Sequence, residues 1–488
     1  MKSPQVAAPA DFKRRVFKAL KCWHSRYSKE GLLDDLLIAH CGEPELTLTL
    51  RQRTNLLLEQ SLDRLADHNP RDAELLKLRF CSYATMEEAQ GRLNYAKSTF
   101  CSMQSGAIAR LSAILYGLET TARHERAAHL SGHLEAPSIQ LVGIEKQVCD
   151  LAALLEGPPE PWVVSIEGIG GIGKTALAAA VMRRLVDGTI FAEFGWVSAQ
   201  EVGLDLCGDV QPRPQPVLTV DALVTALAAQ FLSPGEGNHV RDGEHLLARL
   251  RLRLAQVAHL IVIDNFDTMQ ESHEVLSLLH SLANPTKFIL TSRRRLPGEP
   301  GVHVHPVPEL GAHDALCLLR CVAKEHELAL PAGYADEDLL PIYAAVGGNP
   351  LALLVLGQMH TRPLGLVPAD PAAARLQPPD TLLAYIFRQA WDALAPADRR
   401  VLLAVCASQV TDLDAATLSA LSGLSEPATM AMLQRLVQAN LVIMEGGLGT
   451  CCYRVHNLTY QFLQAAAMNW MASCATAPPA PANSDTGG

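Results

Sequence analysis

Apolar residues recur at three- and four-residue spacing through the first 120 positions, and then the rhythm changes. The early spacing predicts helices over Phe12–His24, Leu32–His40, Leu50–Asp67 and Asp72–Phe80. Two more follow, Thr85–Leu93 and Ser98–Leu118, separated by Asn94-Tyr95-Ala96. His124–Pro137 is small and polar with little periodicity, so residues 121–139 are predicted to be a linker. From Gln140 short β-rich apolar runs alternate with amphipathic stretches: Trp162–Ile166, Phe194–Ser198, His259–Ile263, Lys287–Leu290 and Val302–Val307. That alternation predicts an α/β core over 140–310, a mostly parallel sheet with helices on both faces. Helical spacing returns over 311–366, and a Pro/Ala loop occupies 367–379. In the last region, 380–466, several helices precede a hairpin formed by Leu441–Met444 and Tyr453–Val455. Residues 467–488 have the Pro/Ala/Ser/Gly composition of a disordered tail. No internal repeat is found.

Composition narrows the picture little. A chain of 488 residues predicts more than one core, and 49% hydrophobic with 19% charged residues is the balance of a soluble globular protein. No stretch has the roughly 18 uninterrupted apolar residues of a membrane span. Lys13, Arg14 and Arg15 interrupt any apolar signal core, so the expected location is cytoplasmic. The twelve cysteines lack metal-ligand spacing and read as reduced thiols. Charge placement says more than the total of −10. Residues 1–135 hold 19 Lys/Arg against 16 Asp/Glu, and the remainder holds 22 against 35. Only the front of the chain is suited to approach a polyanion.

The chemistry-bearing signal is Gly168-Ile169-Gly170-Gly171-Ile172-Gly173-Lys174-Thr175, followed by Ala176. It fits G-x-x-x-x-G-K-[ST] and lies between a predicted strand and a predicted helix, Lys174–Leu185. Glycines let successive N–H groups converge on a phosphate at the positive end of a helix. Lys174 supplies a cation for the β- and γ-phosphates of ATP, or for the β-phosphate of ADP, and the Thr175 hydroxyl is a ligand for Mg²⁺. The apolar run His259–Ile263 ends in Asp264, a second Mg²⁺ ligand at the carboxyl edge of the sheet. Asn265 follows where rapid ATPases carry a glutamate. An amide cannot take a proton from water, so hydrolysis is expected to be slow unless Asp267 substitutes.

These motifs occur in a telling order: the phosphate loop, Asp264, Thr291-Ser292-Arg293, Gly348-Asn349-Pro350-Leu351 and Val455-His456-Asn457. The ordered set resembles STAND-type NTPases of the NB-ARC kind over roughly Gln140–Leu463. The resemblance implies a phosphate-loop core followed by a helical domain and a winged-helix domain. It implies that Arg293 senses the γ-phosphate, that Pro350 packs on adenine, and that Val142 and Gly143 line the base. His456 would contact the β-phosphate of ADP and latch a closed state. Two positions depart from the family pattern: Ile144 replaces an arginine, and Asn457 replaces an aspartate. The implied activity is an ADP/ATP switch that opens and self-associates on ATP binding, in transcriptional or bacterial defence regulation.

Within residues 1–120, the segment 72–118 resembles a helix-turn-helix. Ser98, Thr99, Ser102 and Gln104 would face base edges of duplex DNA, with Lys97, Arg92 and Arg110 near phosphates. A helical adaptor that binds a separate sensor or effector protein fits the same pattern. Among whole-chain alternatives, an AAA+-like working ATPase needs an acid where Asn265 stands. A phosphate-loop kinase needs a lid, and a GTPase needs an Asn-Lys-x-Asp stretch; neither is apparent.

Overall fold

The computed structural model describes residues 8–25, 32–39, 49–82, 84–134, 141–200, 202–204, 210–212, 216–232, 243–296, 299–325, 336–361, 383, 386–387, 391–392, 394–407, 413–445, 451–455 and 458–463. The front of the chain is helical: α1 (Ala10–Lys21), α2 (Leu50–His68), α3 (Pro70–Leu76), α4 (Met86–Leu93) and α5 (Lys97–His133). Local chemistry sets these boundaries. Thr49 with Gln52, and Thr85 with Glu88, form capping boxes that satisfy the first free N–H groups of α2 and α4. Asn94 ends α4 in the left-handed conformation that asparagine tolerates. Val16, Leu58, Leu62, Leu75, Phe100 and Leu111 are buried together in the core of this unit.

Over its described residues 121–133 the predicted linker is helix. The helix α5 runs unbroken to His133, because Leu130 and Leu134 are buried against the following domain and reward continuation. Polar periodicity hid this, since only one narrow stripe of the helix faces a partner.

The α/β core matches its expected architecture. Strands β1 (Val163–Glu167), β2 (Glu193–Ser198), β3 (His259–Asp264), β4 (Lys287–Ser292) and β5 (Val302–Pro306) form one parallel sheet in the order β2-β3-β4-β1-β5. Helices α6 (Glu145–Glu156), α7 (Lys174–Leu185), α8 (Val220–Phe231), α9 (Gly243–Gln256) and α10 (Ser272–Leu282) cover it. Successive strand residues point to opposite faces. Val164, Ile166, Val262 and Ile289 therefore pack with α6, α7 and the end of α5, whereas Val163, Ile261, Ile263 and Leu290 pack with α8, α9 and α10. A small hairpin pairs Val202–Leu204 with Val210–Pro212.

The remaining elements are α11 (Ala312–Glu325), α12 (Asp336–Val346), α13 (Pro350–Thr361), α14 (Pro396–Ala407), α15 (Ala415–Ser422), α16 (Glu426–Gln438), β6 (Val442–Glu445) and β7 (Cys452–Val455). The hairpin forms as expected, with β6 antiparallel to β7. Residues 311–366 and 380–466, expected as separate domains, share one hydrophobic core across their described residues. The loop 367–379 and the tail 467–488 lie outside the described residues. No helix among the described residues is long and apolar enough to cross a membrane.

Candidate functional site

The phosphate loop joins the carboxyl end of β1, a central strand, to the N-terminus of α7, so its N–H groups meet the positive helix end. Gly171 and Gly173 have φ of +75° and +100°, which only glycine adopts without strain. At Gly171 a side chain also has no room, since a Cβ would stand 2.7 Å from Leu351 Cβ. Lys174 is buried, and its ammonium donates to the carbonyls of Gly168 and Ile169, both at 2.9 Å. Burial, then the nearby Arg293 cation, lowers its pKa to about 8, with Asp267 and Asp264 opposing.

Asp264 is buried at the end of β3 and gathers two hydroxyls. Thr175 Oγ1 and Thr291 Oγ1 each donate to Asp264 Oδ1 at 2.7 Å. A hydroxyl and a carboxylate are hard oxygen donors of the kind Mg²⁺ takes while keeping waters and phosphate oxygens as its other ligands. The described residues contain no cluster of three or more His, Cys, Asp or Glu that would bind a metal unaided. Thr175 and Asp264 therefore fit a cation delivered with a nucleotide.

A cleft of about 300 Å³ brings together Val142, Gly171, Ile172, Gly173, Lys174, Thr175, Ala176, Asn265, Arg293 and Pro350. Gly143 lies beside it with φ +74°, and a Cβ there would meet Asp314 and Leu310. Gly168 lines a different, larger cavity of about 880 Å³, with Glu167, Arg295 and Asn440. Gly170 turns toward the helical unit instead. His456 and Asn457 lie outside the described residues.

Asn265 adopts φ +57°, and its backbone N–H donates to Thr291 Oγ1 at 2.9 Å. The left-handed conformation gives asparagine a structural reason to be here. Asp267 is no free substitute base. Its Oδ1 accepts from the Arg293 N–H at 2.9 Å, and it lines another cavity with Arg294 and Arg295.

Sequence reasoning gave Asn349 no role of its own within the run Gly348-Asn349-Pro350-Leu351, and it missed Asn440. Asn349 is fully buried; its Nδ2 donates to Gly170 O at 2.9 Å while its Oδ1 accepts from Ala352 N at 3.2 Å. One amide thus caps α13 and holds the phosphate loop, and Leu351 N donates to Gly171 O at 3.2 Å beside it. Pro350 occupies the first position of α13, which costs no hydrogen bond. Asn440 links the turn after α16 to the strand end at Arg293 and Arg295. The sequence signals were a polar residue just before a helical proline and an asparagine closing a helix.

In the front unit Arg92, Lys97, Ser98, Thr99 and Ser102 are exposed, and Gln104 is half-buried. Arg110, expected near phosphates, is exposed and pairs with the buried Asp72.

Residues 162–297 match the family model described as AAA domain. The TMV resistance protein N of Nicotiana glutinosa is 28% identical over 222 residues, covering 45% of this chain and 18% of that protein. Disease resistance protein RPP8 of Arabidopsis thaliana is 27% identical over 168 residues, 34% of this chain and 16% of its own length. The chain thus spans less than a fifth of either relative. Among solved structures, Cdc6p from Pyrobaculum aerophilum aligns with 71% of this chain and 98% of its own at 13% identity, with a TM-score of 0.35. The core is an AAA-type P-loop NTPase domain with weak homology to NB-ARC plant resistance proteins.

Proposed function

We propose that this chain is a slow ATP-hydrolysing switch whose arrangement differs between ADP and ATP, and that it self-associates when ATP is bound. The observation that carries the reading is the seam at the phosphate loop. Gly170 and Gly171 offer their carbonyls to Asn349 and Leu351 of the helical unit. A nucleotide that reshapes this loop must therefore disturb a second domain, and a ligand shifts an equilibrium only through such differential contacts.

In this reading Lys174 exchanges the carbonyls of Gly168 and Ile169 for phosphate oxygens. Thr175 and Asp264 would hold Mg²⁺, which would supply neutralisation of phosphate charge. Arg293 reaches the γ-phosphate, Pro350 and Val142 border the base, and His456 latches ADP from a winged-helix domain. Asn265 offers no carboxylate to activate water, so turnover falls well below roughly 1 per second. A glutamate at 265 pays about 1–2 kcal/mol for the left-handed backbone. The output passes to duplex DNA through residues 72–118, or to an effector protein, in transcriptional or defence signalling.

The AAA-domain match favours a second reading, a working ATPase that remodels or loads a partner. One preparation separates them: identify the co-purified nucleotide, then measure mass with and without ATP and the turnover rate. ADP-bound protein that assembles on exchange into ATP, with slow turnover, supports the switch. Many turnovers per second with unchanged mass support the remodeller.

A further inference from the structure

The strand end that carries Arg293 is held at both of its backbone groups. The Arg293 N–H donates to Asp267 Oδ1 at 2.9 Å, and its carbonyl accepts from Asn440 Nδ2 at 2.6 Å. Two residues on, Arg295 Nε donates to Asn440 Oδ1 at 2.9 Å and Arg295 N donates to Gln438 O at 2.7 Å. Asn440 sits in the turn between α16 and β6, is 7% exposed, and has φ +53°. Its amide spends donor and acceptor alike on the segment 293–295. Aspartate lacks the donor; glycine suits the backbone but has neither group.

We infer that Asn440 is a positioning residue for nucleotide discrimination, acting through Arg293; this rests on Arg293 reaching the γ-phosphate. With both backbone groups of residue 293 bonded, the direction in which its side chain leaves the strand is set. That side chain lines the cleft with Lys174 and Asn265. When the C-terminal region moves away, the Arg293 carbonyl loses its donor and the guanidinium loses its aim. By reciprocity, a γ-phosphate bound by a correctly aimed Arg293 favours the Asn440 contact and keeps this turn docked. Asp267 belongs to the nucleotide-binding domain and keeps the N–H side in place throughout.

The test uses the full chain and measures ATP and ADP affinities by calorimetry, with thermal melting of the nucleotide-free protein alongside. Asn440→Gly keeps the left-handed backbone and removes both bonds; Asn440→Asp keeps the acceptor for Arg295 and removes the donor to Arg293. Both are expected to lower the ratio of ATP to ADP affinity roughly five- to tenfold, within the usual range for coupled sites. Combining Asn440→Gly with Arg293→Ala is expected to lower the ratio no further than Arg293→Ala alone. A lower melting temperature with an unchanged ratio in both Asn440 variants overturns the positioning role and leaves Arg293 as sensor. Additive losses in the double variant also overturn it, since Asn440 would then act by another route. An unchanged ratio in Arg293→Ala overturns the sensor reading, and the positioning role falls with it.

Discussion

The nucleotide-binding domain is joined to its neighbours in two different ways. At the front, the helical and C-terminal elements attach through two asparagines to the phosphate loop and to the strand end at Arg293. At the rear, α5 grips the far end of α7. Arg123 Nη1 donates to Asp187 O at 2.8 Å, Arg126 Nη1 donates to Gly188 O at 3.0 Å, and Arg126 also donates to Phe191 O. These cations meet the residues just past the negative end of α7, where carbonyls lack helical partners. Arg126 also stacks over Phe194 at 4.6 Å, and Arg123 pairs with Glu119. Glu119 in turn accepts from the N–H groups of Leu37 and Ile38, tying the grip to the N-terminal core. Twelve helical residues, about 18 Å at the α-helical rise, separate this grip from the phosphates. The front joint touches the groups a nucleotide would touch. The rear joint touches none of them.

The difference is broken most directly at Lys174. Lys174→Ala is expected to cost about 2–3 kcal/mol of nucleotide affinity, the loss of a charge-assisted contact. The rear joint has no part in that loss, so hydrogen exchange in α5 is expected to be unaltered. Undiminished ATP binding by calorimetry would remove the cleft as the nucleotide seat.

Asn349→Ala probes the front joint itself. It strips the donor from Gly170 O and the cap from Ala352 N inside a buried seam, an expected cost of about 1–3 kcal/mol in denaturant unfolding. Nucleotide affinity should fall with it, because the phosphate loop loses a support. A loss of stability with unchanged affinity would make the seam a packing feature alone.

Arg126→Ala is the matching probe at the rear. Removing hydrogen bonds and a stacked cation is expected to cost about 1–2 kcal/mol, read as faster exchange at the end of α5. Nucleotide affinity should not change. If it falls as much as in Asn349→Ala, the two joints are coupled and the contrast between them fails.

Much of this was legible in the residues. The parallel sheet, the phosphate loop and Asp264 announce themselves because close backbone approach demands glycine and buried strands demand unbroken apolar runs. The joints were not legible, for a physical reason. Asn349 and Asn440 act by hydrogen-bonding backbone carbonyls across domains, 179 and 147 positions away in sequence. A carbonyl carries no residue identity, so no pattern in the chain marks the acceptor. The end of α5 has the sequence of a linker for a related reason. Its partners are again mostly carbonyls, and Leu130 and Leu134 alone mark the buried stripe. Pro350 and Arg293 line the cleft and Gly143 lies beside it, while Gly168 and Gly170 serve the faces of the loop turned away from it.

The smallest expected effect separates the joints by pH. Burial and the Arg293 cation hold the Lys174 pKa at about 8. For a lysine lowered on folding, the buried charge costs stability below pH 8, and that cost fades as pH rises toward the unfolded value of about 10.4. Nucleotide binding has the opposite sign. Phosphate oxygens favour the ammonium and raise its pKa in the complex, so binding draws on the protonated fraction of the free protein. That fraction falls from about nine-tenths at pH 7 to about a quarter at pH 8.5, and apparent affinity should drop roughly fourfold across the interval. Arginines stay charged throughout, so the grip of Arg123 and Arg126 should be insensitive to the same change. The measurement is ATP affinity by calorimetry at several pH values, with hydrogen exchange at the end of α5 corrected for its intrinsic pH dependence. A flat affinity would mean that Lys174 stays charged in the free protein, held by the Gly168 and Ile169 carbonyls more firmly than burial disfavours it. A titrating rear joint would mean that the nucleotide cleft communicates along α7, and the two joints would have to be treated as one.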